Sequence, residues 1–244
     1  MTISPYIKIE QGYVEGIDTS KRALGLKHFL MGKGKIISSA VPILNDINFA
    51  CYSGEKVAFI GNNGSGKSSL LKAIAGIYPL KSGRIDTLGK IAAAIEMGAG
   101  FEYEMTGRQN IKSLMLYNNT LENYSKSLEK EVIEFSELGD KIDVPIKYYS
   151  SGMLSRLAFS AMIFQEPDIL LLDEVFAAGD QHFVQKSLEH MRNKFKTVPI
   201  SILVSHQESI IKENCHRCLL LKNGSIVADG KTEEVFEVYN SGNY

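Results

Sequence analysis

At 244 residues and a net charge of −1, the chain is long enough to bury a full hydrophobic core, and it carries no global basic field of the kind that draws proteins to nucleic acid. Hydrophobic residues make up 44% and charged residues 23%, the proportions of a globular protein and not of a disordered one. No run approaches the roughly 20 apolar residues that span a bilayer, and the N-terminal MTISPYIKIE lacks the basic start and apolar stretch of a signal peptide, so a membrane role has to come through a partner.

In chain order, residues 1–15 read as an edge strand. Residues 17–40 are a mixed segment holding a short basic amphipathic stretch, Lys21 to Met31. Ile43–Cys51 and Lys56–Ile60 read as strands joined by a Ser53-Gly54 turn. A helix follows over Ser68–Gly76, with Gly76 as its C-terminal stop. Gly83–Leu88 and Ile91–Glu96 are short strands, and from Thr106 to about Phe164 the spacing becomes mainly helical. Ile169–Leu172 is wholly apolar, as buried parallel strands are. Phe183–Phe195 reads as helix and Pro199–Val204 as another buried strand. Arg217–Ala228 is a hairpin turning at Asn223-Gly224, and Glu233–Tyr239 is a final helix. Strands alternating with helices imply an α/β sheet, interrupted by a helical insertion.

Residues 61–68, Gly61-Asn62-Asn63-Gly64-Ser65-Gly66-Lys67-Ser68, form a complete G-x-x-x-x-G-K-[ST] phosphate loop between an apolar strand and a helix. The glycines let the backbone curl until several N–H groups face one anion, and the helix adds the positive end of its dipole. Lys67 is placed to bridge β- and γ-phosphates, Ser68 to ligate Mg²⁺, and Ser69 to join the nucleotide-binding set. The strand Ile169–Leu172 runs into Asp173-Glu174. Adjacent carboxylates at the end of a buried strand are costly unless they serve a charged ligand. Beside Mg-ATP, Asp173 holds the metal shell and Glu174 polarises the attacking water as general base.

Three cysteines exclude a disulfide scaffold. Cys215 and Cys218 form a C-x-x-C around His216, but no second pair completes a zinc site. They read as a helix end leading into the strand Arg217–Lys222, with both thiols packed inside. N-x-[ST] sequons occur at Asn118, Asn123 and Asn63. The last lies inside the phosphate loop, which argues for a cytosolic protein in which sequons carry no meaning.

Tyr149-Ser150-Ser151-Gly152-Met153, just ahead of the aspartate strand, resembles the signature of ATP-binding cassette (ABC) ATPases. Asp180, in Glu174-Val-Phe-Ala-Ala-Gly-Asp180, resembles their D-loop aspartate, and His206 after Leu203-Val204-Ser205 their switch histidine. The likeness spans about Ile43 to Gly230. The signature, together with Glu96-Met-Gly-Ala-Gly-Phe101, Met105-Thr-Gly-Arg-Gln-Asn-Ile111 and Val175-Phe-Ala-Ala-Gly-Asp180, is similar to the exporters of O-antigen, capsule and teichoic acid polymers. The resemblance implies a P-loop ABC-ATPase fold: a mainly parallel core sheet, an N-terminal antiparallel β-subdomain and an inserted α-helical subdomain. It implies one domain over 1–244, with an N-terminal strand and basic helix at 1–40, a catalytic core at about 41–96 and 165–244, and a helical subdomain at about 97–164.

The same resemblance implies a homodimer in which Ser150, Ser151, Gly152 and Met153 of one chain grip the γ-phosphate bound to the other, while His206 acts with Glu174 in catalysis. It implies a permease subunit in two copies at the cytoplasmic face of the bacterial inner membrane. The polymer touches mainly that permease, and no nucleic acid is involved. Glu96 stands where most relatives have a glutamine, so it can reach a Mg²⁺-bound water while adding charge. No aromatic residue marks the adenine position: Val41 falls near the expected place, and Phe29 and Tyr13 are alternatives. Lys21–Met31 is either a helix at the membrane face that guides a lipid-linked polymer or a helix packed on the β-subdomain. Some O-antigen relatives carry a C-terminal carbohydrate-binding domain, which a chain ending at Tyr244 is expected to lack. An ATPase for another substrate shares every catalytic motif. A nucleic-acid ABC ATPase is expected to show long coiled coils and a basic surface. A kinase or GTPase leaves Tyr149–Met153 unexplained, and no Asn-Lys-x-Asp guanine motif is present.

Overall fold

The computed structural model describes residues 4–17, 40–95, 100–117, 121, 124–173, 181–242 and 244. The segment Lys21–Met31, Phe29 with it, and the expected site residues Glu96, Glu174 and Asp180 lie outside the described residues.

Two sheets organise the described residues. An antiparallel sheet has the order β2-β1-β4, from β1 (Ile7–Ile17), β2 (Ala40–Cys51) and β4 (Ser82–Thr87). A six-stranded sheet has the order β5-β6-β7-β3-β8-β9, from β3 (Lys56–Ile60), β5 (Ile91–Ala94), β6 (Ile169–Asp173), β7 (Ile200–Val204), β8 (Arg217–Lys222) and β9 (Ser225–Lys231). It is parallel from β5 to β8, and β9 pairs antiparallel with β8. The mainly parallel core and the antiparallel β-subdomain expected from the sequence are both present.

One expectation is corrected. Residues 7–17 are not an edge strand, because β1 pairs with β2 on one side, Ile7 facing Cys51, and with β4 on the other, Ile7 facing Thr87. An alternating pattern identifies a strand but says nothing of how many neighbours it has.

The buried strands show why an unbroken apolar run is needed. Successive side chains point to opposite faces, so each strand feeds two cores. Val57 and Phe59, Ile169 and Leu171, and Ile200 and Ile202 pack toward the antiparallel sheet and α1 (Lys67–Ile74). Ala58 and Ile60, Leu170 and Leu172, and Leu203 pack on the opposite side. That second face is covered by α4 (Ser151–Ile163), α5 (Gln181–Thr197), α6 (Glu208–Asn214) and α7 (Thr232–Ser241). A third core, around Ile111, Ile146 and Leu157, joins α4 to α2 (Gly107–Tyr117) and α3 (Lys126–Ser136) within the helical stretch. The helix end read before Arg217 is α6, and Cys215 and Cys218 are buried beside it with free thiols.

Candidate active site

The phosphate loop occupies the turn between β3 and α1. Gly61, Gly64 and Gly66 have φ of +140°, +78° and +109°, values that side-chain-bearing residues rarely adopt. At Gly61 the need for glycine is also spatial, since a Cβ there would lie 2.3 Å from the Leu221 carbonyl oxygen. The first helical bond of α1 runs from Leu70 N–H to the Gly66 carbonyl at 2.8 Å. The amides of Ser68 and Ser69 therefore have no partner inside the helix, and both residues line a cleft of 610 Å³. Lys67 is 7% exposed, and its Nζ donates to the carbonyls of Gly61 at 2.8 Å and Asn62 at 3.0 Å. The loop thus holds its cation over its own backbone. Ser65 is buried, and its hydroxyl has no hydrogen-bond partner.

Asp173 ends β6 and pairs in register with Val204, which pairs with Phe59. With neighbouring strands roughly 4.8 Å apart, the Asp173 backbone stands about 10 Å from Phe59, two residues before the loop begins. His206 follows the intervening strand β7, is exposed, and lines the same cleft as Lys67, Ser68 and Ser69. The parallel order thereby brings the ends of β3, β7 and β6 to one rim, where open α/β sheets place their sites.

Ser150 is the N-cap of α4, its hydroxyl accepting from the Met153 amide at 3.3 Å, and Ser151 and Gly152 open the helix. Both serines are exposed. Tyr149 anchors the start of the helix: its ring is buried and its hydroxyl donates to the Lys141 carbonyl at 2.6 Å. None of residues 149–153 lines the cleft around Lys67.

Sequence reasoning missed four lining residues. Pro42 and Ile43 come from β2, and Asn223 and Gly224 from the hairpin turn, which the sequence marked only as a turn. The turn reaches the cleft because β8 pairs in parallel with β3, so their C-terminal ends adjoin. Gly224 N–H donates to the Ser65 carbonyl at 2.9 Å, and Asn45 N–H to the Gly224 carbonyl at 2.8 Å, which ties loop, turn and β2 together. At the position expected for an adenine contact, Val41 is exposed beside Pro42. Tyr13 faces Ser82 on β4 and does not line the cleft.

A model of the ABC transporter family matches residues 44–177. The O-antigen export system ATP-binding protein RfbE of Yersinia enterocolitica is 41% identical over 195 residues, 80% of each chain. The capsule polysaccharide export ATP-binding protein CtrD of Neisseria meningitidis is 36% identical over 199 residues, 82% of this chain and 90% of that one. Among solved structures, a dimeric ATP-binding cassette in a post-hydrolysis state bound to ADP and Pi has a TM-score of 0.68 at 17% identity, covering 93% of this chain and 98% of that one. That last likeness concerns the fold.

Proposed function

The chain belongs to the ABC transporter family, and from that premise we propose that it is the ATP-binding and ATP-hydrolysing subunit that powers export of a lipid-linked polysaccharide across the bacterial cytoplasmic membrane. The observation that carries this reading is Lys67, buried and bonded to the Gly61 and Asn62 carbonyls at the edge of an open cleft. A cation already desolvated and aimed by its own loop has little left to reorganise when it exchanges those carbonyls for the β- and γ-phosphate oxygens of ATP. The choice of polymer class rests on the relatives, which are named for O-antigen and capsule export.

Residues 61–69 cradle the triphosphate with backbone amides, the Lys67 ammonium and the Ser68 and Ser69 hydroxyls. Glu174 takes a proton from the attacking water, and His206, on the cleft rim, hydrogen-bonds the γ-phosphate and positions that carboxylate. Ser68 in the cleft and Asp173 at the adjoining strand end, with Glu96, offer hard oxygen donors that suit Mg²⁺ and would hold it beside the β- and γ-phosphates, where it offsets developing negative charge. Ser150, Ser151, Gly152 and Met153 do not line this chain's own cleft, and the two serines are exposed at a helix start. That arrangement suits contact with the γ-phosphate held by a second copy, with Asp180 at the same junction. The working unit is then two ATPase chains on two permease subunits, peripheral to the cytoplasmic face of the membrane. No described helix is long and apolar enough to cross a membrane.

The test is export in cells carrying Lys67→Ala. Polysaccharide should accumulate inside, and the purified protein with its membrane partner should lose ATP turnover. Normal surface polymer together with normal turnover would refute the assignment.

A further inference from the structure

The end of α3 is built in a way that helix stability does not explain. Glu137, its C-cap, has φ +55° and ψ +30°, left-handed values at a position where glycine is the usual choice. A glutamate kept there carries backbone strain. Its carboxylate is shared by two cations from two other helices. Oε2 accepts from Arg156 Nη1 of α4 at 3.2 Å, and Oε1 accepts from Lys186 Nζ of α5 at 2.8 Å. Each cation also lies on an aromatic ring across a helix boundary. Arg156 sits 5.1 Å from the centroid of Phe183 on α5, and Lys186 sits 4.4 Å from that of Phe135 on α3. Lys186 further donates to the Phe135 carbonyl at 3.1 Å.

The side chains of Glu137, Arg156 and Lys186 are 33%, 22% and 30% exposed, a setting in which ion pairs add little net stability. What they do fix is geometry. Arg156 lies in the second turn of the helix that opens with Ser151 behind its Ser150 cap. Lys186 lies in the second turn of the helix that begins at Gln181, immediately after the segment bearing Glu174 and Asp180. A clamp at this point fixes α4, which opens at the signature serines, against α5.

We infer that Glu137 is a positioning residue for ATP turnover, holding α4 and α5 in the relative orientation that lets the signature of one chain complete the site of another. This deepens the proposed function and rests on it. Glu137 does not line the cleft around Lys67, so its loss should spare nucleotide capture by the single chain and impair the step that needs two.

The experiment compares Glu137→Gly and Glu137→Gln with wild type as full-length protein with its membrane partner. It reads the affinity for a fluorescent ATP analogue with Mg²⁺, the melting temperature and steady-state turnover. Glu137→Gly relieves the backbone strain while deleting the clamp, and Glu137→Gln keeps the shape and removes the charge. Both should bind nucleotide within about twofold of wild type and turn over at least about tenfold more slowly, since small misplacements of reacting groups are costly. Glu137→Gly should melt no lower than wild type. Wild-type turnover in Glu137→Gly overturns the inference, as does a loss of turnover that tracks falls in melting temperature and nucleotide affinity. If wild type itself shows no turnover, the reading of the site fails first and this inference with it.

Discussion

Replacing Lys67 with Ala removes two sets of contacts that can be measured apart. Without nucleotide, the ammonium donates to the Gly61 and Asn62 carbonyls at 2.8 and 3.0 Å. Hydrogen bonds from a charged group are worth about 1.5–3 kcal/mol each. Against them stands the cost of keeping a 7%-exposed ammonium away from water, which is several kcal/mol. The two largely offset, so fold stability should change by about 1–2 kcal/mol or less, mostly from the lost methylene stem. Nucleotide binding exchanges those carbonyl bonds for bonds to phosphate, whose oxygens are themselves charged, so the ammonium still adds net affinity. Losing one charge-assisted contact to phosphate should cost about 1.5–3 kcal/mol, which is about a 10- to 150-fold weaker Kd. Lys67→Met, which keeps an apolar stem, should recover the stability and not the affinity. Titration with a fluorescent ATP analogue and urea unfolding of the same samples separate the two quantities. Affinity within twofold of wild type in both variants would show that the loop does not place this cation on phosphate.

Glu174→Gln should keep ATP affinity and reduce turnover by about a hundredfold or more, measured by phosphate release; near-normal turnover would put the base elsewhere. Gly61→Ala forces a Cβ to within 2.3 Å of the Leu221 carbonyl at φ +140°, so urea unfolding should show a loss of about 2–4 kcal/mol, and an unchanged midpoint would contradict the loop geometry. Burial pushes the thiols of Cys215 and Cys218 upward, Cys218 to about 12 from an ordinary 9.0. The folded chain therefore retains these protons where the unfolded chain releases them. Their contribution is intact below about pH 9 and should be lost as pH rises from there toward 12. Native protein at pH 8 should resist iodoacetamide that labels it in urea, and rapid native labelling would place the thiols at the surface.

Much of the phosphate loop was legible because its chemistry is local. Glycines at fixed spacing, a lysine at the start of a helix and an apolar strand before them specify the turn with little help from elsewhere. The Ser150 cap and the buried strand ending at Asp173 were legible for the same reason. What stayed hidden depends on pairing between distant segments. The double pairing of β1 is set by β2 and β4 together, and the reach of Asn223-Gly224 into the cleft is set by β8 lying beside β3. Pro42 and Ile43 carry no chemical label, and only the seating of β2 over the turn brings them to the cleft. The clamp at Glu137 was invisible for a related reason, since its partners stand 19 and 49 residues away on two other helices.

The β1–β2 pairing closes tightly at its open end, with Gly16 facing Val41 and Ile17 facing Ala40. The sheet itself thus holds Ile17 and Ala40 side by side as a fastened neck. Doubling the length of a flexible segment between two fixed ends costs only about 0.6 kcal/mol. Yet Pro42 and Ile43, at the lip of the cleft, follow the neck within a few residues. A change in chain length between Ile17 and Ala40 is thus cheap for the strand register, whereas a change at Pro42 or Ile43 alters the cleft wall directly.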